Sequence, residues 1–125
     1  MTGGLAVIVV NYGSHELLAQ NLAGLAFDEI GARCVVVDNF TSQAEVSSLR
    51  ALADSHGWEV VASPTNCGFG AGVNLGVARA AELGSDAYLL LNPDVQITVE
   101  DIRALSAEVS SHPMHVVSPR ILNST

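Results

Sequence analysis

Lysine is absent from this 125-residue sequence, and its five cationic side chains, all arginine, face 13 acids for a formal net charge of −8. Without lysine there is no Schiff-base chemistry and no P-loop phosphate site within the chain. The acidic balance argues against nucleic acid or an anionic membrane surface as the main partner. Cysteine is scarce too: Cys34 sits in an apolar run and Cys67 among glycines. A buried thiol and a free thiol are expected, not a disulfide scaffold, and a reducing, cytoplasmic setting fits. Long apolar runs are also missing. Leu5 to Val10 is six apolar residues without a basic leader, too short for a signal peptide or a membrane span.

What is present is a supply of core. Hydrophobic residues make up 49% and charged ones 14%, so one domain can bury roughly two-thirds of its unfolded surface. Leu5–Val10, Cys34–Val37, Glu59–Ala62, Ala87–Leu91 and His115–Val117 read as strands, nearly continuous in hydrophobicity as when both sheet faces are covered. Between them run helical stripes: Leu17, Leu18, Leu22 and Leu25; Val46, Leu49, Leu52 and Ala53; Val73, Val77, Ala80 and Ala81; Ile102, Leu105 and Val109. Ser42 with Glu45 has the form of a capping box, and Thr98 with Asp101 a weaker form of one. Alternating strands and helices predict an α/β fold with a mostly parallel sheet and helices on both faces.

Ligands of such sheets bind beyond the carboxyl ends of the strands. The loops there are Asn11–Ser14, Asp38–Ser42, Ser63–Gly72, Asn92–Gln96 and Ser118–Arg120, and they hold most of the unusual residues. Asp94, just past a strand and stiffened by Pro93, is placed to hold a hard divalent cation, or equally to form a turn into the next helix. Gly68, Gly70 and Gly72 would let backbone amides approach an anion where a helix begins, or would simply make a tight loop. The dinucleotide fingerprint is broken, because its third glycine would fall on Val73 or Leu75. Asp38 can accept the ring N–H of uracil or thymine, and Asn39 offers donor and acceptor; capping the next helix is the alternative.

Four segments, taken in order, resemble the inverting, metal-dependent glycosyltransferases of family 2, particularly their rhamnosyltransferase-like branch. They are Ile8–Tyr12, Val36–Asn39, Asn66–Gly76 and Leu89–Val95, and the resemblance runs from about Ala6 to about Arg120. It implies the nucleotide-binding half of the Rossmann-like, A-type glycosyltransferase fold. By it, Tyr12 and Asp38 would contact the base, Asn11 and Asn39 would stand among the substrate-binding residues, and Asn66, Gly68, Phe69, Gly70 and Asn74 would line ribose and diphosphate. Asp94 would bind Mg²⁺ or Mn²⁺, with Asn92 standing where relatives often carry another acid. Gly13 and Phe40-Thr41-Ser42-Gln43 depart from the family pattern. The implied setting is cell-wall or polysaccharide biosynthesis.

Members of that family run to roughly twice this length, and their catalytic base lies in the second half. The chain is therefore expected to be a truncated donor domain spanning residues 1–125, with no catalytic residue of its own. A saccharide or lipid-linked acceptor would be met through the missing half, at the inner face of the membrane if lipid-linked. An edge left bare could favour a homo-oligomer. Glu100 and Asp101 fit a helix dipole better than catalysis, and His15, His56, His112 and His115 share no spacing. A non-catalytic nucleotide-binding or interaction module is the main alternative; a dinucleotide oxidoreductase domain is the second.

Overall fold

A computed structural model describes residues 4–63, 65 and 68–112. Asn66, Cys67, the expected strand His115–Val117 and the loop Ser118–Arg120 lie outside them. Four strands, β1 (Leu5–Asn11), β2 (Ala32–Asn39), β3 (Glu59–Ser63) and β4 (Ala87–Leu91), form one parallel sheet in the order β3-β2-β1-β4. The helices are α1 (His15–Asn21), α2 (Gln43–His56), α3 (Gly68–Glu82) and α4 (Val99–Ser111). None among the described residues is long and apolar enough to cross a membrane.

Strand alternation divides the core in two. Val7, Val9, Cys34, Val36 and Leu91 pack with Leu18 of α1, Leu49 and Ala53 of α2, and Ile102 of α4. Ala6, Ile8 and Val35 face the other way, onto Val77 and Ala80 of α3. The near-continuous hydrophobicity of β1 and β2 follows from this covering of both faces. Burial pushes the Cys34 thiol up to about 12, so it packs as a small hydrophobe.

Helix α3 seats unusually close to the sheet. A Cβ on Gly76 would come within 2.6 Å of Ile8 Cγ2 and 2.9 Å of Val37 Cγ2, and one on Gly72 within 3.0 Å of Val10 Cγ1. These two glycines are packing residues. At its edge the same sheet face is bare: Tyr88 and Leu90, level with Ala6 and Ile8 in the register, are exposed.

Three expectations change. The first stripe extends past its helix: α1 ends at Asn21, and a 3-10 turn, Phe27–Ile30, carries the chain on to β2. The glycine-rich stretch is helical from Gly68 onward, so only Gly68, with φ of 83°, has the left-handed backbone that favours glycine. The two capping boxes exchange roles. Thr98 and Asp101 make the complete reciprocal pair on α4, whereas on α2 Ser42 caps Glu45 N but the Glu45 carboxylate turns elsewhere.

Candidate functional site

Parallel register brings the predicted residues to one edge. Asn11 ends β1 level with Asp38 of β2, and Asn39 is level with Ser63, the last residue of β3. Leu91 ends β4 beside Val9, so the turn after it leaves from the same edge. The amino end of α3 follows β3 there.

Asp38 is 3% exposed, and its Oδ1 makes no hydrogen bond. Burial and the nearby Glu45 charge raise its pKa above the ordinary carboxylate range, against the opposing pull of an Asn11 hydrogen bond and of Arg50. Ser42, not Asp38, caps α2, which removes the capping alternative. A buried acceptor without a partner is costly unless something else satisfies it.

The Asn11 side chain is fully buried: Nδ2 donates to Glu45 Oε2 at 2.9 Å, and Oδ1 accepts from Ser14 N at 3.0 Å. With both ends of the amide engaged inside the protein, Asn11 braces the β1–α1 loop. Glu45 and His15 complete the brace, and sequence patterning missed both roles. Glu45 Oε2 also accepts from His15 N at 3.0 Å, and Oε1 lies 2.5 Å from His15 Nδ1. Burial raises the Glu45 pKa, but hydrogen bonds from Asn11 and His15 and the imidazole charge outweigh it, leaving the group below its ordinary value.

Tyr12 and Phe69 are each 56% exposed at this edge. Gly70 has ordinary backbone, and a Cβ there would meet nothing within 4 Å. Of the two reasons for a glycine there, close approach to a ligand or a backbone open mainly to glycine, the second does not apply. Asn74, between sheet-facing Gly72 and Gly76, is exposed well inside α3. It lies on the helix side away from the sheet, apart from the strand-end cluster. Helix α3 has no acid in its first turn, unlike each of the other described helices.

Asn92 to Val95 form a tight turn closed by Val95 N donating to Asn92 O at 3.1 Å. Asn21 Nδ2 donates to Pro93 O at 2.8 Å, tying the turn to α1. Asn92 and Asp94 are exposed on it. No group of three or more His, Cys, Asp or Glu side chains able to hold a metal occurs among the described residues. The donor set fits a cation held by one carboxylate and completed by ligand phosphates, a common arrangement for Mg²⁺. A cavity of about 410 Å³ lies at the opposite end of the sheet around Gly4, Arg33 and Trp58, far from these residues.

Known proteins carry the same architecture. The hexosyltransferase Agl10 of low-salt glycan biosynthesis in Haloferax volcanii is 36% identical over 98% of this chain, which spans 38% of that protein. S. aureus TarS 1-349, solved with UDP-GlcNAc, superposes with a TM-score of 0.70 at 21% identity, over 97% of this chain and 37% of that one. The mannosyltransferase PcManGT of Pyrobaculum calidifontis, solved with GDP-Man and Mn²⁺, gives 0.64 at 17% identity, over 92% and 33%. The four-stranded parallel sheet is thus the fold of glycosyltransferases. The sequence profile of Glycosyl transferase family 2 matches residues 6–124, and the chain belongs to that family.

Proposed function

We propose that the chain is the donor-binding half of an inverting glycosyltransferase, taking a uridine or deoxythymidine diphosphate sugar with Mg²⁺ or Mn²⁺. The observation that carries this reading is the amino end of α3. It alone among the described helices has no first-turn acid, its Gly70 side is open, and it adjoins the strand ends bearing Asp38 and Asp94. A helix amino terminus with no acid in its first turn attracts a diphosphate. Asp38 Oδ1, buried and unpartnered, fits the ring N–H of uracil or thymine, and exposed Tyr12 offers a face to the base. TarS with UDP-GlcNAc and PcManGT with GDP-Man and Mn²⁺ show that this fold accommodates such donors in other proteins.

In inverting transfer an acceptor oxygen attacks the anomeric carbon from the face opposite the diphosphate. The diphosphate departs with the bonding electron pair, and a base removes the hydroxyl proton. This chain's residues serve the departing side. The first-turn amides of α3, at Phe69 and Gly70, hold the diphosphate, Asp38 and Tyr12 fix the base, and Asp94 would carry the cation. When bound, that cation neutralises charge developing on the diphosphate. The acceptor, saccharide or lipid-linked, and its base belong to the further part of the protein, since the chain spans 38% of its hexosyltransferase relative. General-base assistance is worth about 10²–10⁴-fold, so this chain alone should bind donor and transfer sugar only at background.

Calorimetric titration with uridine, deoxythymidine and guanosine diphosphate sugars, each with and without Mn²⁺, tests the reading. Metal-dependent binding of the uracil or thymine donors is expected, and Asp94→Ala should remove the metal dependence while the fold persists. Metal-dependent affinity unchanged in that variant would strip Asp94 of its role. Tight nicotinamide dinucleotide binding without metal would overturn the whole assignment.

A further inference from the structure

The β1–α1 loop carries Tyr12 on a short bracket. Asn11 is fixed on one side, and Ser14 and His15 on the other. Ser14 Oγ donates back to Tyr12 O at 3.0 Å, and Gly13 turns the chain with φ of 62°. A Cβ at Gly13 would lie 3.7 Å from Thr41 of the β2–α2 loop, so the two loops adjoin.

One side chain closes the bracket. Glu45, 8% exposed on the first turn of α2, accepts from Asn11 Nδ2 and His15 N on one oxygen and meets His15 Nδ1 with the other. With the carboxylate ionised, Nδ1 carries the proton. The same carboxylate could have bonded locally to the α2 cap, as Asp101 does on α4, so its reach across to β1 forgoes half a capping box. A buried carboxylate with three donors holds those donors in one geometry.

We infer that Glu45 is a positioning residue of the nucleotide-base subsite, setting the backbone of Tyr12 through Asn11 and His15 without touching the ligand. The inference rests on the reading above, in which Tyr12 and Asp38 meet the base. Glu45 also places Asn11, the neighbour of Asp38 in the strand register, so one carboxylate governs both base contacts. Affinity for the base should depend on it, whereas affinity for the diphosphate, held at α3 and Asp94, should not.

The 125-residue chain as it stands allows the test. Amide hydrogen exchange is read at Ser14 and His15, and binding is read for UDP and for inorganic pyrophosphate, both with Mn²⁺. Glu45→Ala should speed exchange at those two amides more than along α4 and weaken UDP at least tenfold, with pyrophosphate unchanged. Glu45→Gln keeps an oxygen for Asn11 Nδ2 and His15 N and turns its amide to Nδ1, so UDP affinity should return to within about threefold. If Glu45→Ala does not fold, Glu45→Asp, one methylene short of the span, is read by the same criteria. Wild-type UDP affinity in a folded Glu45→Ala chain would overturn the inference alone, as would equal loss of UDP and pyrophosphate. Failure of the wild-type chain to bind UDP would sink the donor reading itself, and the inference with it.

Discussion

Helices α2 and α4 begin with the same kind of tetrapeptide and use it differently. On α4, Thr98 Oγ1 accepts from Asp101 N and the Asp101 carboxylate accepts from Thr98 N, each at 3.1 Å. On α2, Ser42 Oγ accepts from Glu45 N at 3.1 Å, but the Glu45 carboxylate crosses to Asn11 and His15. The extra methylene of Glu over Asp gives the reach, and the strand end beside α2 supplies buried donors. A motif that closes on itself serves only its helix. One that opens ties its helix to the strand-end edge of the sheet.

Stability should separate the two acids first. Glu45→Ala strands the buried Asn11 donor, at a cost of about 1–3 kcal/mol, and frees the part-buried donors on His15 as well. Asp101→Ala loses an exposed cap partner and a dipole interaction, about 0.3–1 kcal/mol. Urea unfolding of both variants measures the gap. Equal losses would mean that the Glu45 network is no more than a cap.

The next largest effect belongs to the glycines of α3, which repeat the contrast within one helix. Gly76→Ala drives a methyl between Ile8 and Val37, both branched and fully buried. Overpacking costs about 1–3 kcal/mol, and with two methyls in the way it should outweigh the roughly 1 kcal/mol that Ala gains over Gly in a helix. A net loss of about 1–2 kcal/mol in urea is expected, with UDP affinity of the folded fraction retained.

A pH titration sharpens the comparison further. The Glu45 carboxyl is held below its ordinary value in the folded chain. Its contribution is therefore complete above the unfolded-state pKa and fades as pH falls through the folded one. Asp38 has the opposite sign: its raised pKa favours folding below the ordinary, unfolded-state value, and that advantage is lost as pH rises from there through the raised folded one. Unfolding midpoints measured from pH 3 to 7 should show Glu45→Gln losing part of the acid-side fall. An Asp38→Asn chain should instead gain relative stability toward pH 7. If Asp38 meets the base as proposed, its ionised form is the stronger acceptor, so UDP affinity should climb with pH across the same window.

What could be read beforehand divides along the same line. Strand β4 keeps its expected bounds because five apolar residues between polar loops are too few for a helix, even with Tyr88 and Leu90 left bare. The 3.6-residue period placed α2, α3 and α4. The 3-10 turn at Phe27–Ile30 escaped because four residues with two acids carry no period. Asn11 stands among the expected ligand contacts through the family resemblance and its place at a strand end. Nothing local announces a carboxylate 34 residues along that consumes its amide. The Ser42-to-Glu45 spacing did announce a cap, correctly for the hydroxyl and wrongly for the acid, since tertiary donors outbid a local one.

Gly70 gives the smallest effect on stability and the sharpest contrast with Gly76. It has ordinary helical backbone with open space where a Cβ would stand, so the fold itself makes no demand for glycine. Gly70→Ala should stabilise the chain by about 0.4–1 kcal/mol, through helix propensity and a less free unfolded state. If the open space receives the diphosphate, the methyl must nevertheless cost affinity, and the larger Gly70→Val still more. Pyrophosphate and UDP should weaken together in both variants, while uridine without phosphates binds as in the wild type. That pattern of gained stability with lost diphosphate affinity separates a ligand-imposed glycine from the packing-imposed one at Gly76. Unchanged pyrophosphate affinity in Gly70→Val would move the diphosphate away from the first turn of α3.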